Sequence, residues 1–303
     1  MKKRFLPFSL LLVIMILGSS VIADQGGHYV PRTQPTMNAE SFMGSLRANQ
    51  KTGLIDPADM LKALQAPATR NHADDPLYWI SMGPDNMGGQ TTAVLYDNQS
   101  NVVYIGSKGG GVYKTYNHGI TWHQVGGLNL MVSCMVQDAD GVIYVGTGDG
   151  NNGVAFNGLD QQGYENSFVG TGLYTLTNDS LNLLKAPSAD EWLFINDLAI
   201  AGNQLLAATN EGLMCSNDKG HNWINVIEGK SVSVKVAADN TIVAVVENQV
   251  YIGKDVDHMV CHSGTSNTLE GDSLLPQPAG LVDIAIAPTN NDVIYVAGID
   301  GSG

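Results

Sequence analysis

The feature that most restricts what this chain can fold into is a phrase it repeats. An apolar run ends in a polar turn ("DNQSN", "DADG", "AGN", "ADN", "PTNND"), and a second run follows: "VVYIGS", "VIYVGT", "QLLAAT", "TIVAVV", "DVIYVAG". A turn containing Gly or Asn then leads to a third: "GVYKT", "GLYTL", "GLMCS", "QVYIG". The runs are rich in Val, Ile, Tyr and Thr, which fit a pleated, half-buried surface, and turn residues bound each one. The units begin near Thr91, Val132, Ile195, Val232 and Leu281, at intervals of 41, 63, 37 and 49 residues. A period of about 40–50 residues with four short strands predicts propeller blades. The long interval has a local cause, an insertion from Asn151 to Gly170. The expected fold class is all-β: a β-propeller of four-stranded blades, an incomplete arc of about four to five, with a short helical N-terminal extension.

Two stretches recur inside this frame, "TYNHGITW" (Thr115–Trp122) and "SNDKGHNW" (Ser216–Trp223). Both fall where the third strand turns into the fourth. The side-chain oxygen of Asn117 or Asp218 can accept backbone N–H groups of the turn. Gly119 and Gly220 can take positive φ. Thr115 and Ser216 add a hydroxyl. Trp122 and Trp223 open the next strand and are expected to bury a ring between neighbours. Asn117 serves without a charge, so the expected role is structural rather than metal-binding or acid–base.

With the "GGVYKT" strand before the first copy, this pattern resembles the Asp-box, or BNR, repeat of sialidases, sortilin/VPS10-type domains, xyloglucanase-type glycoside hydrolases and secreted bacterial proteins. Trp79 to Val125 is similar to the first blade of the sortilin and xyloglucanase group, and "GTGDGNNG" with "GTGLYTLTND" to its second. The resemblance runs from about Leu77 to Gly303, and the fourth unit lacks the motif. It implies an exported propeller; many functions share that fold.

Two enzyme readings meet obstacles. A sialidase clamps a carboxylate with arginines, and no Arg follows Arg70. In xyloglucanase-type enzymes a catalytic Asp sits in a "TD-x-GG-x-Y" phrase. Here "SKGGGVY" places Lys108 there, and an ammonium cannot act as the carboxylate base. The candidate ligand loop is the insertion, because inserted loops carry binding groups on a rigid scaffold. Its residues are Asp149, Asn151, Asp160, Tyr164, Glu165 and Phe168. The competing structural reading, which carries more weight, has Asp149 capping a turn and the aromatics holding the loop down. His258, Cys261 and His262 match no zinc spacing. No metal and no cofactor is expected.

Lys2, Lys3 and Arg4, the apolar run Phe5–Leu17 and Val21-Ile22-Ala23 read as a signal peptide over residues 1–23. No further run is long enough to span a membrane. Residues 24–76 form an extension in which "NAESFMGSLRANQ" and "DPADMLKALQA" read as short helices, the second capped by Asp56 with Pro57 at its first position. Residues 77–303 form the propeller. From Asn71 onward 25 Asp and Glu face 7 Lys and no Arg, a net charge of −18 that argues against nucleic acid as a partner. Cys134, Cys215 and Cys261 are too few for a disulfide framework, and the first two read as buried hydrophobes. The repeats stop inside a fifth unit, at "VAGIDGSG". This predicts an open arc from the front of a longer protein, with an exposed edge after the fourth blade.

The functional expectation is an exported, non-catalytic binding or scaffold propeller, sortilin/VPS10-like, for protein or glycan ligands. Its expected location is secreted, cell-surface or periplasmic. The alternative is a glycoside hydrolase whose carboxylates lie outside the usual positions or beyond the chain end. A third reading is a surface repeat with no small ligand.

Overall fold

Each repeated phrase folds into an antiparallel sheet. The computed structural model describes residues 48–49, 51–53, 56–65, 90–97, 99–126, 130–150, 169–188, 191–263, 280–291 and 293–299. In the first sheet β1 (Thr91–Asp97), β2 (Val102–Ser107), β3 (Val112–Thr115) and β4 (His123–Gly126) pair in chain order. The second holds β5 (Val132–Gln137), β6 (Ile143–Thr147), β7 (Leu173–Thr177) and β8 (Ser180–Lys185). The third holds β9 (Ile195–Ala201), β10 (Gln204–Thr209), β11 (Gly212–Ser216) and β12 (Ile224–Glu228). The fourth holds β13 (Ser231–Val236), β14 (Ile242–Val246), β15 (Gln249–Gly253) and β16 (Val260–Cys261). β17 (Gly280–Ile286) and β18 (Ile294–Ile299) pair as a two-stranded sheet. Every sheet starts within one residue of the unit boundary read from the sequence.

The first strands of successive sheets touch: β1 meets β5, β5 meets β9, β9 meets β13 and β13 meets β17. They surround a common axis, as in a propeller. The core lies between sheets, not within one. Ala93, Val112, Val132, Ile143 and Val145 fill the first junction, and Cys134, Leu173, Ile195, Leu205 and Ala207 the second. Val234, Ile242 and Ala244 join Leu206 and Leu213 at the third, and Val243, Val245 and Ile284 close the fourth. Each large aliphatic side chain fully buried this way contributes roughly 1.5–3 kcal/mol.

Close approach of the inner strands depends on small residues in the second strands. A Cβ at Gly106 would lie 2.3 Å from Val132 Cγ1, and one at Gly146 would lie 2.8 Å from Ile195 Cγ2. The turns after the inner strands use Asp as expected: Asp97 Oδ1 accepts from Gln99 N (3.0 Å), and Asp138 Oδ1 from Val142 N (2.8 Å). Ion pairs Lys114–Asp179, Lys219–Asp140 and Lys235–Asp197 stitch neighbouring blades.

The helix α1 (Pro57–Gln65) begins at Asp56, whose Oδ1 accepts from Ala58 N at 2.8 Å. Leu61 buries its side chain with Val169, Leu193 and Phe194 beside the third blade's entry. The expected signal peptide lies outside the described residues, as does the earlier helix except Ala48 and Asn49. No helix of the described residues is long and apolar enough to cross a membrane.

Candidate functional site

The inner strands carry a bulge just after they enter each blade. Pairing with the second strand slips between Thr91 and Ala93, Val132 and Cys134, and Ser231 and Ser233, and likewise around Asn196. The bulged residues are thus Thr92, Ser133, Asn196 and Val232. A bulge re-aims a side chain, and here three of the four reach the next blade. Thr92 Oγ1 donates to Val132 O (2.5 Å), Ser133 Oγ to Ile195 O (2.5 Å) and Asn196 Nδ2 to Ser231 O (2.7 Å). Each acceptor is the carbonyl just before the next bulge. Val232 has no donor, so the relay ends there. Asn196 Nδ2 also donates to Asn210 Oδ1 (3.0 Å), and the buried Asn196 Oδ1 has no partner among the described residues.

These residues border two clefts. One, of about 610 Å³, follows the axis and draws its lining from the first strands of all five sheets, including Thr92, Ser133, Asn196, Asp197, Lys235 and Asp283. Asp197 Oδ2 accepts from Lys235 Nζ (2.6 Å), Ser233 Oγ (3.0 Å) and Val234 N (3.0 Å). Asp283 holds the same place in the fifth sheet and accepts from Ile284 N (2.8 Å). The second cleft, of about 200 Å³, shares Thr92, Ser133 and Asn196 and adds Gln90, Lys108, Gly148 and Asp149.

At this second cleft Lys108, from the β2–β3 turn, forms an ion pair with Asp149, at the end of β6. Their side chains are only 15% and 16% exposed. Beside them Lys230 Nζ donates to Gly150 O at 2.9 Å. Burial lowers the Lys230 pKa, and Glu247 and Asp149 act against that shift. Through this pair Asp149 joins the first two blades. Asn151, Asp160, Tyr164, Glu165 and Phe168 lie outside the described residues. The axial polar residues were missed by sequence reasoning. Their signal is one or two polar residues near the start of an apolar inner strand, as in "TTAV", "VSCM", "INDL" and "LVDI".

The two recurring corners build one network. Thr115 Oγ1 accepts from Gly119 N (3.0 Å), and Asn117 Oδ1 from Thr121 N (2.9 Å). Ser216 Oγ accepts from Gly220 N (2.8 Å), and Asp218 Oδ1 from Asn222 N (2.8 Å). Gly119 and Gly220 sit at φ +85° and +91°, the region that favours glycine. The tryptophans differ. Trp223 donates Nε1–H to Gly220 O (2.8 Å), and its ring lies 4.6 Å from that of Trp192. Trp122, expected to bury its ring, is 40% exposed, because no described sheet precedes β1 to cover it. In the fourth blade a 3-10 turn, Val256–His258, capped by Asp255, takes the corner's place.

Cys134, Cys215 and Cys261 are free thiols. Burial pushes the Cys134 thiol up to about 12, which leaves it unreactive. His258 Nδ1 pairs with Asp255, and Cys261 Sγ donates to Ser263 O. Among the described residues no group of three or more His, Cys, Asp or Glu could hold a metal.

With the geometry established, comparison with known proteins adds the fold's kinship. Residues 126–149 match the family "Two component regulator propeller". No curated protein matches the chain. An ancestral GH74 enzyme superposes with a TM-score of 0.50 at 23% identity, over 73% of this chain and 28% of its own. The chain is a β-propeller. The extracellular domain of BT4673 from B. thetaiotaomicron, assigned to a hybrid two component system, gives 0.49 at 15% identity over 72% and 27%. That of BT3049 from the same organism, of the same kind, gives 0.48 at 15% over 70% and 26%. The propeller thus spans about a quarter of the length of these structures.

Proposed function

We propose that this chain is part of an exported, non-catalytic binding propeller whose ligand, a protein or a glycan, docks at the mouth formed by Lys108, Asp149 and Asn196. The observation that carries this reading is the Lys108–Asp149 ion pair. An ammonium stands where the xyloglucanase-type resemblance places a catalytic carboxylate, and it engages the loop's own carboxylate. The mouth offers donors and acceptors for recognition, and among the described residues Asp149 is the one carboxylate that lines it, without the second that an acid–base pair requires. The candidate loop continues from this mouth, which is where a rigid scaffold presents binding groups.

The test is to display glycan and peptide panels to the full chain while assaying the glycans for product release. Binding without release supports the proposal. Release of new reducing ends that Asp149→Asn abolishes would replace it with the glycoside hydrolase reading. No retention on either panel would leave the surface-repeat reading.

A further inference from the structure

Building on the binding reading, we infer that the axial cleft takes an organic cation, an alkylammonium or guanidinium group. The argument starts from proton bookkeeping on the bulge residues. The single hydroxyl proton of Thr92 goes to Val132 O, and that of Ser133 to Ile195 O. Both Nδ2 protons of Asn196 are engaged, on Ser231 O and Asn210 Oδ1. What remains on Thr92 and Ser133 toward the cleft is acceptor capacity, two hydroxyl oxygens; Asn196 Oδ1, also without a donor among the described residues, is itself buried. Blade-to-blade bonding has turned this stretch of wall into an acceptor surface.

The charges agree. Asp149, Asp197 and Asp283 line the two clefts, which share Thr92, Ser133 and Asn196, against Lys108 and Lys235. The two lysines are engaged in ion pairs with Asp149 and Asp197. Among the described residues Asp283 has no ion pair, so one carboxylate is left over. An anion would meet repulsion and few donors. In the axial cleft a sugar would find no ring to stack on, since no aromatic residue lines it among the described residues. An ammonium brings three N–H donors and a positive charge, which answers both the acceptor wall and the unmatched carboxylate. A cleft of about 610 Å³ is roomy enough for an extended amine rather than a lone ion. The cation can arrive as a free polyamine or as the basic side chain of a peptide.

The experiment is calorimetric titration of the full chain with spermidine, with a blocked lysine-containing tetrapeptide, and with glucose as a neutral polyol. The expected result is that at least one amine binds, and that its affinity falls at least fivefold between about 50 and about 500 mM NaCl, as screening requires. Asp283→Lys should weaken that amine at least tenfold. Asp283→Asn should give a smaller loss of the same sign, and its unchanged circular dichroism and melting show that the fold survives. The better-binding arm identifies the source. Lack of amine binding at millimolar concentration overturns the inference, as does equal binding by the wild type and Asp283→Lys. If glucose or the panel ligands bind while amines do not, the cation assignment falls and the binding face stands. If nothing binds at all, both fall.

Discussion

The corners Thr115–Trp122 and Ser216–Trp223 make equivalent hydrogen bonds, yet Trp223 stacks on Trp192 while Trp122 is 40% exposed. The network is local. Eight residues supply every donor and acceptor it needs, so it forms in both places. The packing is not local. In the third blade the corner rests on Leu184, from the last strand of the second blade, and on Trp192, from the segment that leads into β9. The comparison separates what a repeat encodes within itself from what its neighbour contributes, as expected of a fold stabilised by nearest-neighbour interfaces.

The largest expected effect breaks this comparison at the tryptophans. Trp223→Ala removes the ring contact with Trp192 and the bond to Gly220 O, and should cost about 2–3 kcal/mol, below the full cost of a core tryptophan because the ring is half-buried. Trp122→Ala should cost about 1 kcal/mol or less. Urea denaturation of both variants decides. Equal losses would mean that the preceding blade contributes nothing to the corner.

The glycines come next. Alanine at either position pays the left-handed backbone strain of about 1 kcal/mol. At Gly119 the new Cβ would find only Trp122 Cζ2, at 3.7 Å. At Gly220 it would lie 2.6 Å from Leu184 Cδ2, so that side chain must move. Gly220→Ala should therefore cost about 2 kcal/mol and Gly119→Ala about 1. Equal midpoint shifts in denaturant would show that Leu184 yields freely.

The hydroxyls should show no such difference. Thr115 and Ser216 are 2% and 1% exposed, and each accepts from the glycine N–H of its own corner. Thr115→Val, which keeps the buried methyl, and Ser216→Ala should each cost about 1–2 kcal/mol, chiefly by leaving that N–H unsatisfied. A clear inequality in their unfolding free energies would show that the network, too, depends on the neighbouring blade.

The same division explains what could be read in the sequence. Strand starts and corners were legible because short apolar runs and the turn residues that bound them act over a few positions. The exposure of Trp122 was not legible, because it depends on which sheet precedes β1. The mouth was half legible. Asp149 stood out at the end of "GTGD", but Lys108 lies 41 residues earlier and read only as a missing carboxylate. Nothing local says that the two meet. The relay through Thr92, Ser133 and Asn196 depends on bulges, and a bulge is a property of register between strands rather than of one strand's composition.

The smallest expected effect is the most selective, because it rests on the difference in charge between the networks. Asp218 carries a charge where Asn117 does not. The backbone N–H of Asn222, with the Asn222 amide and the Ser216 hydroxyl, holds the Asp218 carboxylate down at about 2, against an ordinary 3.8. A depressed folded-state pKa means that ionised Asp218 favours the folded corner above about pH 4. That contribution fades as pH falls from about 4 toward about 2, where the folded-state group takes up its proton. The first corner has no such group. Amide exchange, read residue by residue across this window, should therefore show Asn222 N–H losing protection while Thr121 N–H keeps its own. Asp218→Asn should erase the difference without dismantling the corner, since Asn117 already accepts the equivalent bond at 2.9 Å. If both corners lose protection together, global acid unfolding has overtaken the local effect, and the charge at Asp218 is not what distinguishes them.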